Sequence, residues 1–436
     1  MQLELENVRT FRGRHTIPIT PITLIVGENS AGKTTLLSML SAVWQADFPS
    51  SNSFRIPPFD LGSYDAIATY AGSRWRSHSF TIGYRDDLPR GGQTHVSATF
   101  RDSLGQPILS SLNADSEKGQ ISLQIDQDKL HAQLSLKEGK GTFKISMLIS
   151  PEQASSSQSL FFLLSDQLFR SDREKDQGRD EIRRQSFEYH DLLTTFFRLG
   201  RNFKSPVSIA PVRTKPRRTY DELVEDFKPE GDHVPLIMAR VWQSTNAARK
   251  KKLKDALVQF GNESGLFVDL EVKRLGKAPS SPFRIMVKVS GPPVNLPDVG
   301  YGVSQSLPLI VESVLAARGT RLILQQPEVH LHPKAQAALG TFFSELVAKD
   351  NKQFVIETHS DFLVDRVRQE VARRTLRPEA VSILFLDRRG GDTTATSLVL
   401  DEKGNITNAP PSYRQFFLQE ELNLLSRGEG PRANDN

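Results

Sequence analysis

The 436-residue sequence contains no cysteine. It therefore cannot form a disulfide framework, a thiolate zinc cluster or an iron–sulfur centre, and it has no cysteine nucleophile. Its first six residues alternate apolar side chains with polar or acidic ones. A secretory signal would instead begin with basic residues and an apolar core. These features predict a cytoplasmic protein.

Long apolar runs are also missing. The best stretches are residues 160–164 and 307–317, and Pro308, Glu312 and Ser313 interrupt the second one. A membrane-spanning helix needs about 20 predominantly apolar residues. We therefore expect no membrane span.

Charge of either sign is not in large excess. The sequence has 56 Lys plus Arg and 51 Asp plus Glu, for a net charge of +5. Such a balance permits nucleic-acid binding without arguing for it. With 38% hydrophobic and 25% charged residues, the composition is that of an ordinary globular protein, long enough for two or three lobes.

A phosphate-binding loop is the strongest motif that is present. Residues 27–34 match G-x-x-x-x-G-K-[ST] between an apolar strand at 22–26 and a helical pattern from residue 33. Backbone N–H groups of such a loop hold phosphates, the lysine reaches the β- and γ-phosphates, and the hydroxyl binds Mg²⁺. We expect ATP and Mg²⁺ here, and the predicted nucleotide-binding residues are Asn29, Ser30, Ala31, Gly32, Lys33, Thr34 and Thr35.

A partner strand for this loop is predicted at residues 322–328. In P-loop enzymes such a strand ends in an acid that holds magnesium and its water. It follows the loop by about 290 residues, which implies a large insertion between the two halves of the site. Upstream, residues 298–306 form a glycine-rich turn that opens an apolar helix. The residues of this turn that we expect to face a phosphate are Gly300, Gly302, Ser304 and Gln305.

A further buried strand is predicted at residues 353–360, with His359 at its carboxyl end. A histidine at that position can contact a γ-phosphate. From Asp298 onward helices and strands alternate, as they do in parallel α/β folds.

The ordered set of motifs resembles the ATP-binding-cassette (ABC) type of ATPase, and more narrowly the bacterial AAA-type ATPases related to the OLD (overcoming lysogenization defect) family. Four segments carry the narrower similarity: residues 208–213, 326–333, 356–360 and 400–406. Coverage is good for 1–45, 205–220 and 295–420 and poor for 46–200.

The resemblance implies two ATPs held in a head-to-tail dimer or a higher oligomer, with Ser304 of one protomer completing the site of another. OLD nucleases carry a metal-binding TOPRIM domain after the ATPase, whereas about 75 residues follow His359 here. We therefore expect a separate effector, a nuclease or a toxin, and a role as the sensor ATPase of antiphage defence. The alternatives are a DNA-binding repair ATPase of the RecF or SMC kind and, less favoured, a self-contained nuclease.

Glutamines stand where the resemblance leads us to expect acids. Gln325 occupies the position of the magnesium-ordering carboxylate, and Gln326 that of the catalytic glutamate. Either hydrolysis is naturally weak, or one glutamine was introduced to trap ATP. Glu328 could order the attacking water or shape the dimer contact. The predicted catalytic residues are Gln325, Gln326, Glu328 and His359, and the predicted metal residues are Thr34 and Gln325.

The predicted fold is thus an α/β, ABC-type P-loop head with a large inserted α+β lobe. The predicted divisions are head (1–45), inserted lobe (46–205), a segment completing the head (206–295), head (296–426) and a disordered tail (427–436).

Four other patterns favour structural interpretations. His330 and His332 suggest zinc but have no evident third ligand. Residues 269–273 faintly resemble a nuclease motif within an alternating strand, and Asp126 and Asp128 lie in a predicted hairpin at 121–136. The basic cluster at 249–254 is predicted to be a solvated helix face, with a nucleic-acid or partner contact as the alternative.

Overall fold

The computed structural model describes residues 1–45, 47–49, 54–70, 76–87, 92–137, 141–150, 153, 156–174, 179–197, 205–221, 226–278 and 280–413, except for the side chains of 87, 171–174, 179–185 and 197. The predicted tail at 427–436 lies outside these residues. The strands are β1 (Gln2–Val8), β2 (Phe11–Pro18), β3 (Ile22–Gly27), β4 (Arg55–Ile56), β5 (Phe59–Asp60), β6 (Ser79–Asp87), β7 (Gln93–Ser103), β8 (Gln106–Asp115), β9 (Gly119–Asp126), β10 (Lys129–Leu136), β11 (Gly141–Leu148), β12 (Val207–Ile209), β13 (Asp269–Arg274), β14 (Phe283–Lys288), β15 (Val294–Asn295), β16 (Arg321–Gln325), β17 (Gln353–Glu357), β18 (Val381–Arg389) and β19 (Asp392–Leu398). The helices are α1 (Lys33–Val43), α2 (Tyr64–Ile67), α3 (Ser157–Glu174), α4 (Arg179–Phe197), α5 (Val234–Gln243), α6 (Ala247–Ser264), α7 (Tyr301–Leu315), α8 (Pro333–Asp350) and α9 (Asp361–Ala372), with 3-10 turns at Leu296–Asp298 and Pro378–Ala380.

A six-stranded sheet forms the centre of the head, in the order β12-β16-β17-β3-β18-β19. The first five of these strands are parallel and β19 is antiparallel. Their short apolar runs are buried because the chain covers both faces of the sheet. The parallel arrangement brings the carboxyl ends of β3, β16 and β17 to one edge. The predicted α/β head is confirmed.

The two faces of this sheet belong to different cores. Ile25, Ile323 and Val355 pack on the side of α1, together with residues of the inserted lobe. Ile22 and Leu24 pack on the opposite side, with apolar residues of helices α5 to α9. Helix α1 is therefore enclosed by the head on one side and the lobe on the other.

The inserted lobe is built on an antiparallel eight-stranded sheet, in the order β11-β10-β9-β8-β7-β6-β1-β2. Strands β9 and β10 form the hairpin predicted at 121–136, and their residues alternate between buried and exposed. Strand β1, predicted with the head, pairs with β6 of the lobe through contacts such as Leu5 opposite Ile82. The sheet of the lobe thus continues into the first strands of the chain.

Between the inserted lobe and the second part of the head, the chain forms helices and a small sheet. Helices α5 and α6 precede the strands β13 and β14, which pair antiparallel. The helix predicted for residues 249–254 and the strand predicted for 269–273 are both present. Asn246 caps α6, because its side-chain oxygen accepts a hydrogen bond from the Arg249 amide. Among the described helices, none combines the length and apolarity required to span a membrane.

Candidate active site

The predicted phosphate-binding loop at 27–34 joins β3 to α1. Gly27 has φ 142°, and a Cβ there would lie 2.3 Å from the carbonyl oxygen of Leu386. Gly32 has φ 96°, and a Cβ there would lie 3.1 Å from the Phe11 ring. Both positions require glycine, because a side chain would be strained at these φ values and Gly27 has no room for one.

Lys33 is the first residue of α1 and is only 4% exposed. Its Nζ donates hydrogen bonds to the carbonyl oxygens of Gly27 (2.9 Å) and Glu28 (2.7 Å). Burial lowers the pKa of Lys33, while the nearby carboxylates, chiefly that of Glu357, act in the opposite direction. The ammonium group therefore lies against the inner side of the loop, where phosphate oxygens can replace its carbonyl partners.

Thr34 contacts a carboxylate that the sequence analysis did not select. Its Oγ1 lies 3.3 Å from Oε1 and 3.2 Å from Oε2 of Glu357, the last residue of β17. Burial raises the pKa of Glu357, whereas the charge of Lys33 and hydrogen bonds from Thr34 and Gln325 oppose this rise. The contact joins residues 323 positions apart, so no local sequence pattern reports it.

Gln325 ends β16 and lies directly opposite Glu357 in the parallel pair β16–β17. Its side-chain amide lies close enough to the Glu357 carboxylate to oppose the rise in the pKa of that group. A neutral amide is a weak ligand for Mg²⁺, whereas a hydroxyl and a carboxylate are the hard oxygen donors that this ion prefers. The donor set thus fits a divalent cation through Thr34 and Glu357 better than through the predicted pair of Thr34 and Gln325.

The turn after β16 is fastened to the end of β17. The Gln326 amide donates to the carbonyl oxygen of Glu357 at 2.8 Å, and Gln326 itself has φ 43°. Oε1 of Glu328 accepts a hydrogen bond from the His359 amide at 2.6 Å. Burial raises the pKa of Glu328. One oxygen of Glu328 therefore holds the backbone that carries His359.

Arg213 connects this turn to α7, the helix that the glycine-rich turn at 298–306 opens. It is 2% exposed, and its guanidinium donates to the carbonyl oxygens of Gln305 (3.3 Å) and Gln326 (3.2 Å). Burial lowers the pKa of Arg213 to about 10, and the Glu328 carboxylate opposes this. The resemblance marked the segment at 208–213, but the role of Arg213 was not predicted because both of its acceptors are backbone oxygens.

His359 is exposed at the carboxyl end of β17. It lines a cavity of about 970 Å³ together with Gly27, Glu28 and Asn29 of the phosphate-binding loop. Partial desolvation and the charge of Lys33 lower the pKa of His359. The imidazole is therefore biased towards its neutral form beside the loop.

The glycine-rich turn at 298–306 leads into α7. Gly300 and Tyr301 are exposed at the start of α7. Ser304 is 7% exposed and its hydroxyl donates to the Tyr301 carbonyl oxygen at 2.8 Å, while Gln305 is fully buried. In the single chain neither residue is exposed, and the predicted contact of Ser304 with a partner's phosphate stays a prediction. The exposed groups are Gly300 and the first amides of the helix.

A second groove, of about 470 Å³, borders the loop on the side of β1 and β2. An Nη1–H of Arg9 donates to Oγ1 of Thr35 at 3.3 Å, and one of Arg388 donates to the Ser30 carbonyl oxygen at 3.2 Å. The groove is strongly basic. Sequence reasoning missed it because its lining comes from separate segments, and its polar and aromatic members are Arg9, Thr10, Arg12, Tyr70, Arg76 and Arg388.

The two histidines near β16 have structural contacts. The His330 ring packs edge-on against Tyr301, with centroids 5.0 Å apart, and a Cβ on Gly302 would lie 3.0 Å from the His330 carbonyl oxygen. Nδ1 of His332 accepts a hydrogen bond from the Lys334 amide at the start of α8. Among the described residues, no group of three or more His, Cys, Asp or Glu side chains could hold a metal ion.

The basic cluster at 249–254 is largely engaged with the chain itself. Lys252 pairs with Asp350 at 2.7 Å, and Lys254 pairs with Asp269 at 3.7 Å. These contacts favour the solvated helix face over a nucleic-acid contact, and they also engage the first residue of the faint nuclease motif.

Comparison with known families decides the class. The sequence model of the family described as "AAA domain, putative AbiEii toxin, Type IV TA system" matches residues 22–365. This span includes the phosphate-binding loop, helix α7, strand β16 and His359. The chain belongs to this AAA-domain family. The resemblance to AAA-type ATPases related to the OLD family is thereby confirmed.

This AAA-domain chain is also similar to the OLD nuclease of Thermus scotoductus (strain ATCC 700910 / SA-01). The two are 24% identical over 400 residues, which cover 85% of this chain and 61% of the relative. The chain thus spans about three fifths of that relative's length.

Solved structures similar to the AAA-domain chain include an SmcHead bound to the C-winged helix domain of ScpA, with a TM-score of 0.47, 10% identity and coverage of 92% of this chain and 98% of that chain. They also include the SMC head domain from Thermotoga maritima, with a TM-score of 0.40, 11% identity and the same coverages, 92% and 98%.

Proposed function

We propose that this AAA-type ATPase binds ATP with Mg²⁺, associates head to tail with a second copy when ATP is bound, and regulates a separate effector of bacterial antiphage defence. The main support for ATP binding is that four side chains lie together at the carboxyl ends of neighbouring parallel strands. They are Lys33, Thr34, Glu357 and His359. Ligands bind at this edge in open α/β sheets.

Within the proposed site, each side chain has a distinct task. The loop amides and Lys33 bind the phosphates, and the Thr34 hydroxyl and the Glu357 carboxylate face the position of the cation. When bound, Mg²⁺ would neutralise charge on the phosphate oxygens. His359, beside the loop, contacts the γ-phosphate. The basic groove that contains Arg9 receives the nucleoside end.

Association is proposed to use the exposed end of α7. Gly300 and the following amides carry the partial positive charge of a helix N-terminus, which attracts phosphate. An arrangement in which this end meets the γ-phosphate of a second copy makes ATP the link between protomers. In this proposal the backbone amides at the start of α7, and not the Ser304 hydroxyl, contact the phosphate of the second copy.

The defence role rests on relatives. The matched family is described as a putative AbiEii toxin of a type IV toxin–antitoxin system, and the curated relative is a nuclease. We propose that the chain works in the cytoplasm, where ATP is abundant. A neighbouring nuclease or toxin gene would support the effector, whereas a replication or recombination cluster would favour the repair ATPase.

The test of nucleotide binding is Lys33→Ala, measured by calorimetry with ATP and Mg²⁺. The variant removes the only charge that the loop itself aims at the β- and γ-phosphates, so we expect affinity to fall at least tenfold. Lys129→Ala, an exposed lysine of β10, is the matched control and should bind like the wild type. Equal ATP affinity in Lys33→Ala would refute the proposed site.

A further inference from the structure

We infer that Glu357, and not the residue at the end of β16, supplies the carboxylate of the divalent-cation site. This inference rests on the proposed ATP site and specifies how that site holds its metal. In this chain the carboxylate stands at position 357 on β17, whereas the resemblance led us to expect it at position 325 on β16.

Hydrogen bonding to Thr34 is the first argument. A P-loop threonine contributes its hydroxyl to Mg²⁺, so a carboxylate that shares the ion must lie close to that hydroxyl. Both oxygens of Glu357 lie within 3.3 Å of Thr34 Oγ1.

The surroundings of Glu357 are the second argument. The side chain is 5% exposed, so a negative charge there needs a cationic partner. The charge of Lys33 acts on this carboxylate, but the Lys33 ammonium donates to the carbonyl oxygens of Gly27 and Glu28. A divalent cation beside Thr34 would supply the missing positive charge.

Glu328 is another acid whose charge acts on Lys33, and one of its oxygens is engaged elsewhere. Oε1 of Glu328 accepts the His359 amide at 2.6 Å, and the charge of the buried Arg213 acts on the same carboxylate. Glu328 therefore serves the turn after β16, and Glu357 is the carboxylate in contact with the loop threonine.

Gln325 becomes a positioning residue in this arrangement. It lies directly opposite Glu357 on the adjacent strand, with its amide beside the carboxylate. A glutamate at 325 would place two carboxylates side by side, where like charges repel. The amide avoids that repulsion and holds the Glu357 side chain towards Thr34.

The experiment compares the affinity for a hydrolysis-resistant ATP analogue in saturating Mg²⁺ with that in EDTA, by calorimetry. The ratio of the two affinities measures the coupling between cation and nucleotide. In Glu357→Gln we expect this ratio to fall at least tenfold, while affinity in EDTA is kept. Glu402→Gln, an exposed acid far along the chain, should retain the wild-type ratio. Combining Glu357→Gln with Gln325→Glu should restore part of the ratio.

An unchanged ratio in Glu357→Gln would overturn the inference. If the wild type binds the analogue in neither buffer, the proposed ATP site fails instead, so the two failures are distinguishable. Should Glu357→Gln lose its folded structure, judged by thermal melting, Glu357→Asp is measured in the same way. That variant withdraws the carboxylate from Thr34 by one methylene, and an unchanged ratio there would also overturn the inference.

Discussion

The resemblance to ABC-type ATPases assigns Gln326 to the position of a catalytic glutamate. An amide cannot accept the proton of the attacking water, and general-base catalysis typically contributes 10²- to 10⁴-fold. We therefore expect turnover well below about 1 s⁻¹ for the wild type. Gln326→Glu should raise the rate at least tenfold, whereas Gln326→Ala should stay slow, as measured by phosphate release. Ordinary turnover in the wild type would contradict this role for Gln326.

Glu357 also links folding to pH in the chain without nucleotide. Its pKa is raised in the folded state, so in the range above 4.5 the folded chain holds more protons than the unfolded chain. The contribution of Glu357 to stability is fully present below pH 4.5 and is lost as pH rises through its folded pKa. Glu357→Gln should remove this loss.

Chemical denaturation in EDTA tests this pH dependence. The free energy of unfolding of Glu357→Gln, minus that of the wild type, should increase between pH 4.5 and 7. Taking the difference cancels groups such as Glu328, whose pKa is also raised. A difference that is constant with pH would show that Glu357 does not titrate in this way.

At the scale of elements, helix α7 carries the test of association. Gly300 has φ −54° and ψ 138° at the N-cap, and a Cβ there would meet nothing within 4 Å. Gly300→Asp should therefore fold, and it should keep or slightly raise stability because aspartate is a favoured N-cap. Its carboxylate would nevertheless repel an approaching γ-phosphate. We expect Gly300→Asp to abolish ATP-dependent association.

Light scattering with and without the ATP analogue measures this effect. Gly300→Ala, which adds the same Cβ without charge, is the control and should still associate. If the wild type and Gly300→Asp have equal molecular masses in the presence of the analogue, the proposed head-to-tail arrangement is contradicted. Ser304→Arg is a poorer test, because it would place a long charged side chain at a buried position.

At the scale of the whole molecule, local patterns predicted the parts that depend on neighbouring residues. The glycine-rich loop at 27–34, the hairpin at 121–136 and the strand before His359 each follow from composition and spacing within a few residues. The contact between Thr34 and Glu357 could not be predicted in this way, because it depends on β17 lying between β3 and β16. The pairing of β1 with β6 likewise depends on a register between distant segments.

The burial of Ser304 depends on packing that the sequence does not show. All residues of α7 from Gly302 to Val311 are buried, so no exposed face separates Ser304 from its neighbours. Its predicted contact with a partner's phosphate therefore stays a prediction.

Strands β2 and β3 are consecutive in the chain but lie in different sheets, one shared with the inserted lobe and one at the centre of the head. Only Ile19, Thr20 and Pro21 separate them, and Oγ1 of Thr20 donates to the Ile22 carbonyl oxygen at 2.7 Å. This three-residue linker is too short to let the two strands move far apart. A mechanical load applied to the lobe along β2 is therefore transmitted to β3 and, at its far end, to the predicted phosphate-binding loop. We therefore expect tension on the lobe and occupancy of the phosphate-binding loop to be coupled through this short linker.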